Sequence, residues 1–392
     1  MKILQINVVC GIKSTGRITT DIATMAEEKG YDCKVAYGRE TVPEFLQKYA
    51  VKIGTPFSNK CHAVFSRALA LNGFGSKRAT KKFLKWVDEY NPDVIHLHNI
   101  HGAYIHVGLL FDYLKKSNKK VVWTLHDCWA FTGRCAHFEY IGCGRWKDGC
   151  QRCPQKCNYH TVWINKAKRN FKWKKKAFTG VKDMTLVTPS KWLANLVKES
   201  FLKEYPVQVI PNGIDLTKFR PMESDLRDRY ALQAKKIVLG VASAWGEKKG
   251  LQDFYRLGQL LGKEYQVVLV GLTEEQRKTA PKEVLALPST NSIEDLAKWY
   301  TAADVFVNCT YEDTYPTVNL EAQACGTPVL TYATGGSVES VPNENVVPQG
   351  DVQAMADRIQ IAVAKATCLE KNCFDKKVYY EKYLQLYAQE EV

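Results

Sequence analysis

Two rounds of strand and helix alternation, separated by a stretch rich in Pro, Gly and Asn, predict an α/β protein built from two doubly wound parallel-sheet domains. Length agrees, because 392 residues suit two domains that each bury a core of their own. Composition agrees as well: 45% apolar and 24% charged residues are ordinary for a soluble globular chain and exclude a disordered, collagenous or wholly membrane-embedded one.

The elements follow in order. Lys2–Val9 reads as a strand, Thr19–Lys29 has helical spacing, and Cys33–Tyr37 is a second strand. After a polar connection come a helix over Lys77–Glu89, the strand Val94–His98, a helix over Val107–Lys115 and the strand Val121–Leu125. The second series starts with the strand Ile237–Val241 and continues with helix Leu251–Leu261, strand Gln266–Val270 and helix Ile293–Tyr300. Strand Val305–Asn308, helix Val318–Ala324 and strand Pro328–Tyr332 complete it. The junction is placed at Tyr205–Pro221.

Nothing at the N-terminus reads as an export signal, since Gln5 and Asn7 interrupt the short apolar stretch after Lys2. No run approaches the ~20 apolar residues of a membrane-spanning helix. Thirteen cysteines in an unexported chain argue against a disulfide framework, yet six of them fall between Cys128 and Cys157. Charge is lopsided: residues 1–200 carry 34 basic and 15 acidic side chains, residues 201–392 carry 21 and 26. Such asymmetry points to a polyanionic or membrane-surface partner on one side only.

Ligands of open α/β sheets bind beyond the carboxyl ends of the strands, so the segment Tyr311–Ala322 between a strand and a helix draws notice. Pro316 suits a first helical turn, and the backbone N–H groups of Thr317 and Val318 would face an anion such as a diphosphate. Asp313 and Glu321 bracket that helix start and could accept hydrogen bonds from sugar and ribose hydroxyls; by spacing alone they could equally be capping and solvated residues.

Asp313 and Glu321, followed by Ala322-Gln323-Ala324-Cys325-Gly326-Thr327-Pro328-Val329, resemble the acidic pair and "EAxACGxPV" segment of glycosyltransferase family 4, retaining enzymes of the GT-B fold. Pro211-Asn212-Gly213-Ile214-Asp215, Glu247-Lys248-Lys249-Gly250, Thr188-Pro189-Ser190 and Leu125-His126-Asp127 are similar to further motifs of that family, in the family's order. Within it, Gly73-Phe74-Gly75-Ser76, the "HNIHG" piece and the cysteine-rich loop resemble the subgroup that builds colanic-acid and capsular polysaccharides.

The resemblance implies two Rossmann-like domains facing a central cleft. Residues 1–204 would form the acceptor-binding domain, with a Cys-rich insertion (128–157) and a basic helix (163–178). Residues 205–374 would bind the nucleotide-sugar, and 375–392 would be a helix packing back on the first domain. It also implies a metal-independent transfer of a sugar from a UDP- or GDP-sugar to a saccharide or lipid-diphosphate-linked acceptor, with no cofactor required for catalysis. His126, Asp313 and Glu321 would be the catalytic group. Lys248, Lys249, Pro316, Thr317, Val318 and Glu321 would bind the donor, with Gly16 and Arg17 approaching it from the first domain. His98 and its neighbours His96, His101 and His106 read as a polar lining of the acceptor side, with a metal site as the other reading. Two departures stand out: Asp313 replaces the usual Glu, with Glu312 adjacent as an alternative sugar contact, and Ala244 occupies the register of a common phosphate-binding Arg. A non-catalytic nucleotide-sugar or glycan-binding protein of the same fold is the competing reading.

Cys135, Cys143, Cys150 and Cys153 include a Cys-x2-Cys clip and form a candidate structural zinc site, with free buried thiols as the other reading. Lys166–Lys176 holds seven basic residues and no acid. Its Lys168, Arg169, Lys172 and Trp173, backed by Trp163, Ile164, Ala167, Phe171 and Phe178, read as a basic amphipathic helix on an anionic membrane, or as a solvated face. No nucleic-acid motif accompanies it. A cytoplasmic protein, peripheral at the inner face of the membrane, is the expectation.

Overall fold

The computed structural model describes residues 1–70, 73–155, 165–364 and 374–388. The chain divides into two compact units, one formed by Met1–Pro211 with Tyr379–Val392 and the other by Asn212–Val378.

In the first unit the strands are β1 (Lys2–Asn7), β2 (Asp32–Tyr37), β3 (Ala50–Lys52), β4 (Val94–Leu97), β5 (Lys120–Thr124), β6 (Met184–Thr188) and β7 (Val207–Val209). They form one parallel sheet in the order β3-β2-β1-β4-β5-β6-β7. The helices are α1 (Lys13–Glu28), α2 (Pro56–Leu69), α3 (Lys77–Tyr90), α4 (Val107–Lys116), α5 (Ala167–Phe178) and α6 (Lys191–Glu199). Both faces of the sheet are covered, as parallel sheets require. Leu4 and Ile6 of β1 point into a cluster with Leu110, Phe111 and Phe178, while Ile3 packs with Ile18 and Ile22 of α1 and with Tyr380, Tyr383 and Tyr387 near the C-terminus.

The second unit repeats the plan. It contains α7 (Leu226–Arg229), β8 (Lys236–Val241), α8 (Leu251–Leu260), β9 (Tyr265–Val270), α9 (Glu274–Thr279), β10 (Val284–Leu287), α10 (Ile293–Ala302), β11 (Val305–Asn308), α11 (Thr317–Ala324), β12 (Val329–Tyr332), β13 (Val346–Val347) and α12 (Val352–Ala364). The parallel order β10-β9-β8-β11-β12-β13 reverses direction between β8 and β11, as the first sheet does between β1 and β4. Such a switch point leaves a crevice at the carboxyl edge of the sheet where ligands of this fold class bind.

The boundary differs from the expected residue 204, because Val207–Val209 is the last strand of the first sheet rather than linker. The Pro-Asn-Gly-Ile-Asp motif follows it. A Cβ on Gly213 would sit 2.3 Å from Lys376 Cα, so glycine lets the chain pass against the returning segment, where Ile214 bridges Asp375. Lys376 Nζ donates to Asp215 Oδ2 at 2.9 Å. Burial works against the Asp215 carboxylate, but its hydrogen bonds with Thr217 and Lys376 bring its pKa down to about 2. The last helix, α13 (Lys376–Ala388), carries the tyrosines named above.

Several elements go beyond those expected from sequence, among them β3, β10, α6, α9 and α12. The helix α2 occupies the expected polar connection, where Thr55 and Ser58 form a capping box around Pro56. The helix α1 starts at Lys13, six residues before the expected Thr19, because its first turn is polar and interrupted by Gly16.

Candidate active site

In the second unit the strand β11 ends at Asn308 and the loop to α11 passes under the one-turn 3-10 helix Glu247–Lys249 that follows β8. Gly250 closes that turn at φ +69°, and a Cβ there would lie 2.3 Å from Cys309 O, so glycine is what permits the approach. Tyr311 N donates to Lys248 O at 2.9 Å, which fastens the two segments together. Two consecutive lysines consequently meet two consecutive acids. Lys248 Nζ is 2.5 Å from Glu312 Oε1; Lys249 Nζ is 2.8 Å from Asp313 Oδ2 and 3.3 Å from Thr310 Oγ1. Glu312 is only 5% exposed, and its Oε2 is buried without a hydrogen-bond partner.

Pro316 is the residue before α11, with extended ψ of 116°, rather than inside the first turn as expected. No side chain caps this helix, so the backbone N–H groups of Thr317 and Val318 end it without such a partner. Glu321, one turn in, is buried and accepts from the Tyr300 hydroxyl at 3.0 Å. Burial holds that phenol well above its ordinary pKa, so Tyr300 acts as a donor. The Asn308 to Asn319 bond at 2.9 Å and the Asn319 to Ser340 bond at 2.9 Å fix α11 against the turn Gly335–Ser340. That turn was not singled out from sequence: Gly336 N donates to Asp313 O at 3.1 Å, and Ser337 Oγ is buried with no hydrogen-bond partner. A Gly-Gly-Ser after a strand was the available signal.

In the first unit, His98 and His126 follow β4 and β5, the strands next to the switch point. His98 Nδ1 is 3.0 Å from His126 Nε2. Burial lowers the His126 pKa to about 4 and drives those of His96 and His98 well below the usual range. His98 is 1% exposed, which corrects the expectation that it lines an acceptor surface. The other histidines separate by task. His96 is buried between Tyr387 and Thr124, His106 Nδ1 accepts from Leu109 N to cap α4, and His101 pairs with Asp127 at 2.8 Å. Burial raises the Asp127 pKa, but the charge and hydrogen bond of His101 outweigh it and leave the group at about 2.

Gly16 lies buried in the first turn of α1, where its carbonyl accepts from Gly11 N at 3.0 Å and a Cβ would come within 3.0 Å of Val9 Cγ2. Its small size closes the loop after β1 on itself; Arg17 beside it is exposed.

The helix α5 corrects a second expectation. Its apolar residues Ala167, Phe171, Ala177 and Phe178 are buried in the unit's own core and are not offered to a bilayer; Trp163 and Ile164 lie outside the described residues. Lys174 is buried too, with Nζ 2.5 Å from Trp129 O and 3.9 Å from the Trp129 ring centroid. Burial lowers its pKa to about 7. Lys168 and Lys172 remain exposed, whereas Arg169 is bound to Leu69 O at 2.9 Å and stacks 4.6 Å over Trp173.

Cys135, Cys143, Cys150 and Cys153 line one cavity, and Cys150 Sγ accepts from Gly133 N at 3.1 Å. Among the described residues, however, no group of three or more His, Cys, Asp or Glu side chains is arranged to hold a metal ion. The four thiols do not fit a zinc site as they stand, and no role for zinc is carried forward.

Known proteins resemble this chain over both units. The family model described as Glycosyltransferase Family 4 matches residues 15–218, and that described as Glycosyl transferases group 1 matches residues 235–365. A putative colanic acid biosynthesis glycosyl transferase, WcaC of Escherichia coli K12, is 26% identical over 84% of this chain and 82% of its own. The N,N'-diacetylbacillosaminyl-diphospho-undecaprenol alpha-1,3-N-acetylgalactosaminyltransferase of Campylobacter jejuni is 27% identical over 50% of this chain and 57% of its own. The crystal structure of Anabaena Alr3699/HepE in complex with UDP superposes with a TM-score of 0.67 at 16% identity, covering 98% of this chain and 99% of that one. That last likeness is one of fold, and the fold is GT-B.

Proposed function

The chain belongs to glycosyltransferase family 4, and from that premise we propose that it transfers a sugar from a nucleoside-diphosphate sugar to a lipid-diphosphate-linked saccharide, with retention of anomeric configuration, in capsular or exopolysaccharide synthesis. The observation that carries the reading is the paired lysines and acids gathered between β8 and β11 at the start of α11. A diphosphate would meet Lys249, Lys248 and the N–H groups of Thr317 and Val318, all placed to offset charge growing on the leaving group without a metal. Glu321, held by Tyr300, would accept from the ribose hydroxyls. Asp313, whose carboxylate accepts from Lys249 and from Tyr315 N, would also accept from a hydroxyl of the transferred sugar, since a carboxylate has about four acceptor positions. Retention without an enzyme nucleophile implies attack from the face that the diphosphate leaves, with the leaving phosphate helping to take the acceptor proton.

The named acceptor of the Campylobacter relative supports a lipid-diphosphate substrate, and so does the surface of the first unit. No helix among the described residues is long and apolar enough to cross a membrane. Phe57, Val64, Phe65 and Leu69 of α2 are nevertheless exposed, at 76%, 64%, 55% and 45%. Arg169 ties the end of that helix to α5, whose Lys168, Lys172, Lys175 and Lys176 are exposed. Apolar side chains beside clustered lysines suit peripheral binding to an anionic bilayer.

The test is nucleotide release from a panel of UDP- and GDP-sugars, with and without lipid-diphosphate saccharides, followed by NMR of the product's anomeric centre. Acceptor-dependent release with retained configuration is expected. An inverted product would refute the retaining mechanism.

A further inference from the structure

Gln5 stands on β1, an interior strand of the first sheet, fully buried between Leu4 and Ile6. A buried amide there is costly unless its hydrogen bonds are made. Its Nε2 donates to Thr19 O at 2.8 Å. A backbone carbonyl can only accept, so that contact fixes which end of the amide is nitrogen and turns Oε1 toward His98 Nε2, 3.0 Å away.

The consequences run across three neighbouring strands, β1, β4 and β5. Gln5 Oε1 only accepts, so His98 Nε2 carries a proton. His98 is buried with the His96 ring centroid 3.9 Å from its own. No carboxylate is committed to it, because Asp127 is engaged by His101 and by Trp129 N at 2.8 Å each. A second proton on His98 would thus be an unpaired buried charge, and the ring stays neutral. Its Nδ1 is then an acceptor, and His126 Nε2, 3.0 Å away, must be the donor.

We propose that Gln5 and His98 are positioning residues that fix His126 as the Nε2–H tautomer, so that its Nδ1 carries no proton and is an acceptor, the form suited to a hydroxyl of the saccharide substrate. The role of the substrate hydroxyl rests on the transfer reaction proposed above; the tautomer does not. A neutral acceptor of this kind suits a sugar hydroxyl and is wrong for a phosphate oxygen, which offers no proton at neutral pH. Burial, which depresses the His126 pKa, acts in the same direction.

Nitrogen-15 imidazole spectra of histidine-labelled full-length protein at neutral pH test the tautomer directly, with signals assigned through His98→Gln and His126→Gln. His98 and His126 should each show one proton, on Nε2. Gln5→Leu should redistribute the His126 proton between its nitrogens. Should Gln5→Leu fail to fold, His98→Phe breaks the relay one step later by removing the Nδ1 that accepts from His126. In sugar transfer, loss of the acceptor should lower kcat about tenfold, the scale of one hydrogen bond, with less effect on KM for the sugar nucleotide. A proton on His126 Nδ1 in the wild type, or an unchanged His126 pattern in both Gln5→Leu and His98→Phe, overturns the proposal. Absence of turnover with every sugar nucleotide would instead defeat the transfer reading, and the spectra would still decide the relay.

Discussion

Lys249 Nζ lies 2.8 Å from Asp313 Oδ2, so the lysine assigned to the diphosphate and the acid assigned to the sugar are each other's partners before any substrate is present. Lys248 and Glu312 repeat the arrangement one residue along. Both pairs are built by the 3-10 turn after β8 lying on the loop after β11, which Gly250 allows. Each charge is thereby positioned in advance, and catalysis by fixed charges depends on such preorganisation.

The two acids should separate kinetically. Glu321→Ala should weaken sugar-nucleotide binding by about tenfold, the scale of a lost hydrogen bond to a charged group, as read by calorimetry. Asp313→Ala should mainly lower kcat. Wild-type activity in both variants would remove the assignment.

Acid stability should fall steeply and in a defined window. Folded His96, His98 and His126 resist protonation, so the unfolded chain binds more protons below its histidine pKa of about 6.5. Their contribution to stability is complete above that pH and is lost progressively as pH falls toward about 4, where folded His126 also begins to titrate. Urea unfolding between pH 7 and 4 reads the slope, which should shrink in His126→Gln.

Lys174 carries the same sign of dependence into the basic range. With a folded pKa near 7 against about 10.4 unfolded, the unfolded state binds the extra proton between those values, and stability rises with pH across them. Lys174→Met should therefore raise Tm at pH 6, by a gain worth on the order of a few kcal/mol, and the gain should shrink toward pH 10. A lower Tm at pH 6 would show that the bond to Trp129 O outweighs burial.

Membrane binding should follow α2 more than the buried side of α5. Phe57→Ser with Phe65→Ser should reduce sedimentation with anionic vesicles several-fold, and replacing Lys168, Lys172, Lys175 and Lys176 by Gln should do so in a salt-dependent way. Unchanged binding in both would end the membrane reading.

Sheet architecture was legible because parallel strands buried on both faces write themselves as apolar runs, such as Ile237–Val241 and Val305–Asn308. The acid pair and the lysine turn were legible as local motifs. Less so were features set by packing between distant segments: that Lys174 points inward among basic neighbours, that His98 is enclosed by Gln5 and His126, and that Gly335–Ser340 abuts Asp313. A charge run looks the same in sequence whichever side of a helix faces the core.

The central claim is that the lysine and acid pairs after β8 and β11 serve sugar transfer. Steady-state release of nucleoside diphosphate by wild-type and Asp313→Ala protein, with a lipid-diphosphate saccharide present or omitted, tests it most directly. The account predicts release that requires the acceptor and drops about a hundredfold in the variant. Tight nucleotide-sugar binding with no release under any combination would contradict it and mark the protein as a binder.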